Sequence, residues 1–169
     1  MRAIFLILCA VLLNGCLGMP ESVKPVSDFE LNNYLGKWYE VARLDHSFER
    51  GLSQVTAEYR VRNDGGISVL NRGYSEEKGE WKEAEGKAYF VNGSTDGYLK
   101  VSFFGPFYGS YVVFELDREN YSYAFVSGPN TEYLWLLSRT PTVERGILDK
   151  FIEMSKERGF DTNRLIYVQ

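Results

Sequence analysis

Few residues of this chain could do chemistry. Its one histidine, His46, stands between Asp45 and Ser47, the residue types that a nucleophile, its base and an orienting acid would use. Neighbours on an extended strand or loop do not form such a set without unusual turning, because their side chains point apart. One histidine without partner cysteines also leaves no zinc set. Glu76 and Glu77 fall in a polar connection and read as solvated charge. No catalytic residue, metal or cofactor is therefore expected. The remaining chemistry belongs to the two cysteines, Cys9 and Cys16.

Met1-Arg2 followed by the apolar run 3–13 has the charge and length of an export signal, too short for a permanent membrane span. Leu13-Asn14-Gly15-Cys16 resembles the lipobox of bacterial lipoproteins, with Asn14 where Ala or Ser is commoner. The alternative is a core cysteine ending a buried helix. The resemblance implies removal of a signal peptide 1–15, a diacylglycerol on the Cys16 thiol and a further acyl chain, such as palmitate, on its amine. More than one chain gives lasting attachment. Leu17 stands where lipoproteins kept in the inner membrane carry Asp, so the resemblance implies the outer membrane, with the domain facing the periplasm. Cys9 leaves with the signal, and Cys16 alone cannot make an intramolecular disulfide.

Residues 16–27, with Pro20 and Pro25, read as a lipidated N-terminus and tether able to extend about 35 Å. About 150 residues remain beyond the signal, enough for one domain with a real core, set at 28–169. A net charge of -4 with scattered Lys and Arg leaves no basic field for nucleic acid.

A short capped helical turn is expected near Asp28, Phe29 and Leu31. Strand-length runs come after it at 37–44, 54–62, 67–74, 80–92, 98–104, 110–117, 121–127 and 132–139. Asn63-Asp64-Gly65-Gly66, Gly105-Pro106 and Gly128-Pro129-Asn130 are among the turn signals between them. From 142 to 158 the period is helical, with Thr142 as cap, Ile147, Leu148, Phe151, Ile152 and Met154 as the apolar stripe, and Gly159 as the stop. A last short strand is expected at 164–168. Eight antiparallel strands with a meander spacing suggest an all-β barrel or sandwich, and a closed barrel has no exposed edge.

Gly36-Lys37-Trp38-Tyr39-Glu40 and Ser138-Arg139-Thr140-Pro141 resemble the first and third conserved regions of lipocalins; Asp117 to Tyr121 meets the second only loosely. The stretches from Arg43 to Gly51 and from Phe103 to Gly109 resemble the bacterial outer-membrane lipocalins more narrowly. This resemblance implies an eight-stranded antiparallel up-and-down β-barrel with one C-terminal helix packed outside, and a base where Arg139 covers Trp38 beside Gly36. It also implies a preference for fatty acids or lysophospholipids.

If Trp38 and Arg139 point inward at the base, the two-residue period of a strand sets the facing of the rest. On that rule Glu40, Ala42 and Leu44 face in, as do Tyr133, Trp135 and Leu137, while Leu134 and Leu136 face out under the helix. Elsewhere the apolar face is taken as inward, which gives Val55, Ala57 and Tyr59; Ala88 and Phe90; Val101 and Phe103; and Val112 and Phe114. The strand with Ile67, Val69 and Asn71 is ambiguous. Several small inward residues argue for a ligand space, the alternative being that Trp135 and Phe90 fill it. Glu40 is an odd inward carboxylate, there either to fix a ligand head or a water or to make a structural hydrogen bond.

Phe48, Phe107 and Tyr108 fall at the barrel mouth, where exposed aromatics mark a contact surface or pack on one another. The expected function is a non-enzymatic lipoprotein that stores or transports a small apolar ligand for membrane maintenance. The rival reading is a scaffold or assembly lipoprotein acting through that aromatic mouth. A homodimer is left open.

Overall fold

Val, Ile, Tyr, Phe and Trp suit a pleated, half-buried surface, and they recur from Trp38 to Trp135 between clusters of Asn, Asp, Gly and Pro. The computed structural model describes residues 17–168. The signal segment 1–15, Cys16 and residue 169 lie outside the described residues. A helical turn, α1 (Leu31–Tyr34), leads into β1 (Gly36–Leu44), β2 (Leu52–Val61), β3 (Ile67–Ser75), β4 (Glu80–Phe90), β5 (Tyr98–Phe104), β6 (Phe107–Leu116), β7 (Tyr123–Ser127) and β8 (Leu134–Ser138). Then come α2 (Arg145–Glu157), a single 3-10 turn (Thr162–Arg164) and β9 (Leu165–Tyr167).

Each strand pairs antiparallel with the next, and β8 and β2 both pair with β1, so the eight strands close into a barrel. β1 changes partner along its length. Its lower half, Gly36 to Tyr39, pairs with β2, and its upper half, Ala42 to Leu44, pairs with the additional outer strand β9. The ends of β1 define the base, at Gly36, and the mouth, at Leu44.

Two apolar layers stabilise this wall. Inside lie Trp38, Ile67, Val69, Leu99, Val113, Val126 and Leu137. Outside, Val41, Leu44, Phe114, Phe125, Leu134 and Leu136 pack under Phe151 of α2, whose ring meets Phe125 edge-on at 5.0 Å. Fully burying side chains such as Leu134, Leu136 and Phe151 contributes about 2 kcal/mol each. The helix starts at Arg145, with Glu144 before it and no side-chain cap, so Thr142 is not its cap. Gly159, at φ +84, provides the left-handed residue that ends it.

Four bulges shift the phase of the wall, one of them in β2 between Ser53 and Thr56 and one in β5 between Val101 and Phe104. In β1 the register slips between Glu40 and Ala42, and in β6 between Val113 and Glu115. Each adds one residue opposite an unbulged partner and reverses the facing of the rest of its strand.

Residues 17–27 are not a free tether. The Gly18 amide donates to Ser110 Oγ at 2.8 Å, Ser22 Oγ donates to the Arg158 carbonyl at 2.7 Å, and the Val26 amide donates to the Val113 carbonyl at 2.8 Å. Val23 is 2% exposed in the outer apolar layer. Burying Val23 and Val26 outweighs the freedom that an extended tether would keep. Among the described residues no helix is long and apolar enough to cross a membrane.

Candidate functional site

The base is built first, from local sequence. Trp38 is fully buried, and its Nε1 donates to the Tyr34 carbonyl at 2.7 Å. The Arg139 guanidinium covers the indole at 3.9 Å from the ring centre and donates to the carbonyls of Lys37, Asn33 and Tyr121. Gly36 lets the chain turn here at φ +91, and a Cβ on it would lie 3.6 Å from Arg139 Nη1. Above this plug Phe29, Leu31 and Tyr34 form a floor. Sequence reasoning missed these three as cavity residues, because the helical turn offered no sign that it folds under the barrel.

Over the floor stands a cavity of about 100 Å3, open toward the mouth. Val55, Ala57, Tyr59, Ala88, Val101, Phe103, Trp135 and Leu137, all expected inward, line it. Phe90 points into the same inner layer lower down, its ring 6.0 Å from Phe29, and does not line the open space. Ile67, Val69 and Asn71 of the ambiguous strand also line it. Their cross-strand partners Val61, Tyr59 and Ala57 on β2 carry the signal that fixes their face.

Five more expected cavity residues lie elsewhere. Ala42 and Leu44 sit in the outer layer, because the β1 bulge turns Arg43 inward in their place. Val112 and Phe114 also pack under the helix side, while Tyr111 and Val113 face in. Both faces of β6 are apolar, so choosing the apolar face did not decide its direction. Tyr133 lies before β8 at the mouth, where its ring stacks at 5.8 Å on His46 and 6.5 Å on Phe48.

Besides Thr56, Asn71 and Ser110, the polar groups of this lining gather in two clusters. Low in the barrel, the hydroxyl of Tyr111 meets those of Tyr34 at 2.6 Å and Tyr59 at 2.9 Å. Burial raises the pKa of all three well above the ordinary tyrosine value, so they stay neutral. At the mouth, buried Arg43 donates through Nη1 to Glu40 at 2.7 Å and through Nη2 to the Glu49 carbonyl at 2.9 Å. Trp135 Nε1 donates to Glu49 Oε2 at 3.1 Å. His46 Nε2 lies 3.0 Å from the same oxygen, close enough for an ion pair when protonated but without hydrogen-bond geometry. Burial, then the Glu49 charge, push the Glu40 carboxyl well above the usual carboxylate range against the pull of Arg43.

Asp45 faces away from His46 chemically, since its carboxylate accepts from Arg50 Nε at 2.8 Å. Among the described residues no three His, Cys, Asp or Glu side chains converge as a metal site requires. The arrangement can hold an apolar body in a dead-ended pocket and meet a polar group at its open end.

Residues 29–169 match the family model described as a lipocalin-like domain. The chain belongs to the lipocalin family. Lipocalins are generally binding proteins for small hydrophobic molecules, and this lipocalin's closed barrel and outer helix have close counterparts. It is 99% identical over 169 residues to the outer membrane lipoprotein Blc of Vibrio cholerae O1, covering 100% of this chain and 99% of that protein. It is 51% identical over 150 residues to the protein of the same name from Escherichia coli K12, covering 89% and 84%. Insecticyanin from the tobacco hornworm superposes with a TM-score of 0.70 at 23% identity, covering 87% of this chain and 84% of that one, a likeness of fold alone. The outer-membrane address implied by Leu17 is the one that both bacterial relatives' names carry.

Proposed function

We propose that this lipocalin is a non-enzymatic lipoprotein that stores or transports one fatty acid or lysophospholipid for maintenance of the outer membrane. Its signal 1–15 is removed, and acylated Cys16 holds it there with the domain in the periplasm. The observation that carries the reading is a dead-ended apolar cavity whose two lining carboxyl groups, Glu40 and Glu49, stand with Arg43 toward the open end. An acyl tail enters toward Ala57 and Ala88, and the polar head stays at the mouth.

Each methylene so buried contributes about 0.8 kcal/mol, enough for useful affinity without catalytic groups. The free space of about 100 Å3 is below the 300 Å3 or more of typical small-molecule sites, so filling requires side chains to move. Phe48, exposed at the open end, and Phe103, half-buried below it, are the lining rings we take to move.

The test is titration of the chain from Leu17 onward with a fatty acid and with a lysophospholipid, following tryptophan fluorescence. A saturable change at about one ligand per barrel, lost in Trp135→Phe, supports the reading. A folded protein that does not respond turns the assignment to a scaffold acting through its exposed aromatic mouth. Sedimentation equilibrium of the same sample decides between one copy and two.

A further inference from the structure

The docked segment 17–27 places the anchor at one particular end of the barrel. Gly18 is bonded to Ser110, three residues below the mouth end of β6 and therefore about 10 Å from it. The base end of β6, at Leu116, lies about 20 Å the other way. Cys16 is two residues before Gly18 and reaches about 7 Å further. A free tether could lead to either end, but the bonds of Val26 to Val113 and Gly97, and of Ser22 to Arg158, take up the slack.

The same end carries an apolar rim. Phe104 and Phe107, at the tip of the β5–β6 hairpin, are 79% and 66% exposed. Across the mouth, between β1 and β2, Phe48 is 57% exposed. Below the hairpin tip come Tyr108 and then Lys100, whose Nζ lies 5.1 Å from the Tyr108 ring centre on the outer face. Apolar tip, amphipathic aromatic and snorkelling cation match the polarity order of a bilayer from acyl chains to headgroups. The β3–β4 loop, with Glu76, Glu77 and Lys78 exposed, limits the contact to a shallow one.

We propose that the mouth of the barrel faces the membrane that holds Cys16, with Phe104, Phe107 and Phe48 dipping into the lipid, so that the cavity opens onto the bilayer and not onto the periplasm. This rests on the reading of Cys16 as acylated. The occupant is a lipid surface, because the anchor and the aromatic tips leave the domain at the same end, which brings that surface to the rim before any soluble partner.

The test uses the full acylated protein in vesicles of phosphatidylethanolamine and phosphatidylglycerol, with nitroxide labels on single added cysteines. Gly105→Cys adds a side chain into open space at the hairpin tip and keeps all three phenylalanines. Ser94→Cys marks the exposed base. The label at 105 should relax faster with oxygen than with a water-soluble nickel chelate, and the label at 94 the reverse. Replacing the three phenylalanines by serine should return the 105 label to water. A 105 label in water at the outset, on protein whose intact mass carries the acyl chains, overturns the orientation and leaves a protein partner as the occupant of the rim. Protein whose mass lacks acyl chains overturns the anchor reading, and the orientation with it.

Discussion

The base and the mouth each hold an arginine against the barrel wall, and they do so in different ways. Arg139 at the base lies over Trp38 and satisfies its donors with three backbone carbonyls, no carboxylate being involved. Arg43 at the mouth is buried between Glu40 and the 49–52 backbone, beside a second carboxylate, His46 and Trp135. Carbonyls on three separate segments pin the base and do not titrate. The mouth cluster stands on side chains, one of which, Glu40, is pushed toward its neutral form by burial and by the Glu49 charge. The base is thus a fixed plug, and the mouth is the end whose stability can depend on pH.

Trp38→Ala should have the largest effect, about 4 kcal/mol of stability, because a fully buried indole leaves a cavity that the plug cannot refill. Urea unfolding reads it. Arg139→Met should cost about 2 kcal/mol through lost charged hydrogen bonds and ring cover, while the Trp135 response to ligand in the folded fraction stays unchanged. A lost ligand response with intact stability would put the base in the binding site and break the comparison.

At the mouth the effect is one of pH. Glu40 has its pKa raised in the folded chain, so the native state keeps a proton that the unfolded chain releases above its ordinary value of 4.5. This contribution to stability is complete below that value and is lost as pH rises toward the folded pKa. Glu40→Gln should flatten the decline, seen as urea midpoints that differ less between about pH 5 and pH 7 than in the parent. Equal slopes would move the proton to another group. The smallest stability change belongs to Phe48→Ser, within about 0.5 kcal/mol because the ring is mostly exposed, with weaker lipid uptake as its signature in the fluorescence titration.

Much of this was legible where one residue type has one physical use. The Gly- and Pro-bearing turns announced successive hairpins and the stripe through Phe151 announced an outer helix, while the closed base of Trp38 and Arg139 was implied only by the resemblance to lipocalins. Facing was legible on β2, β4 and β5, where only one side of the wall is apolar. It was not legible on β6, which α2 makes apolar on both sides, nor beyond Glu40, because a bulge adds a residue without changing the composition. The expected tether was misread for a related reason. Pro20, Pro25 and polar neighbours look unstructured in sequence, and only the folded barrel gives Val23 a place in the outer apolar layer and Val26 one in the inner cluster.

That docked segment also changes the arithmetic of encounter. With the slack from residue 18 to residue 26 taken up against the wall, the anchor proposed on Cys16 would work through a leash two residues long. Effective concentration rises as a linker shortens, so under the proposed anchoring lipid in the bilayer would become, in kinetic terms, an intramolecular partner of the barrel. A pocket mounted this way needs little intrinsic affinity to remain filled, and its selectivity then rests on how readily a molecule leaves the bilayer.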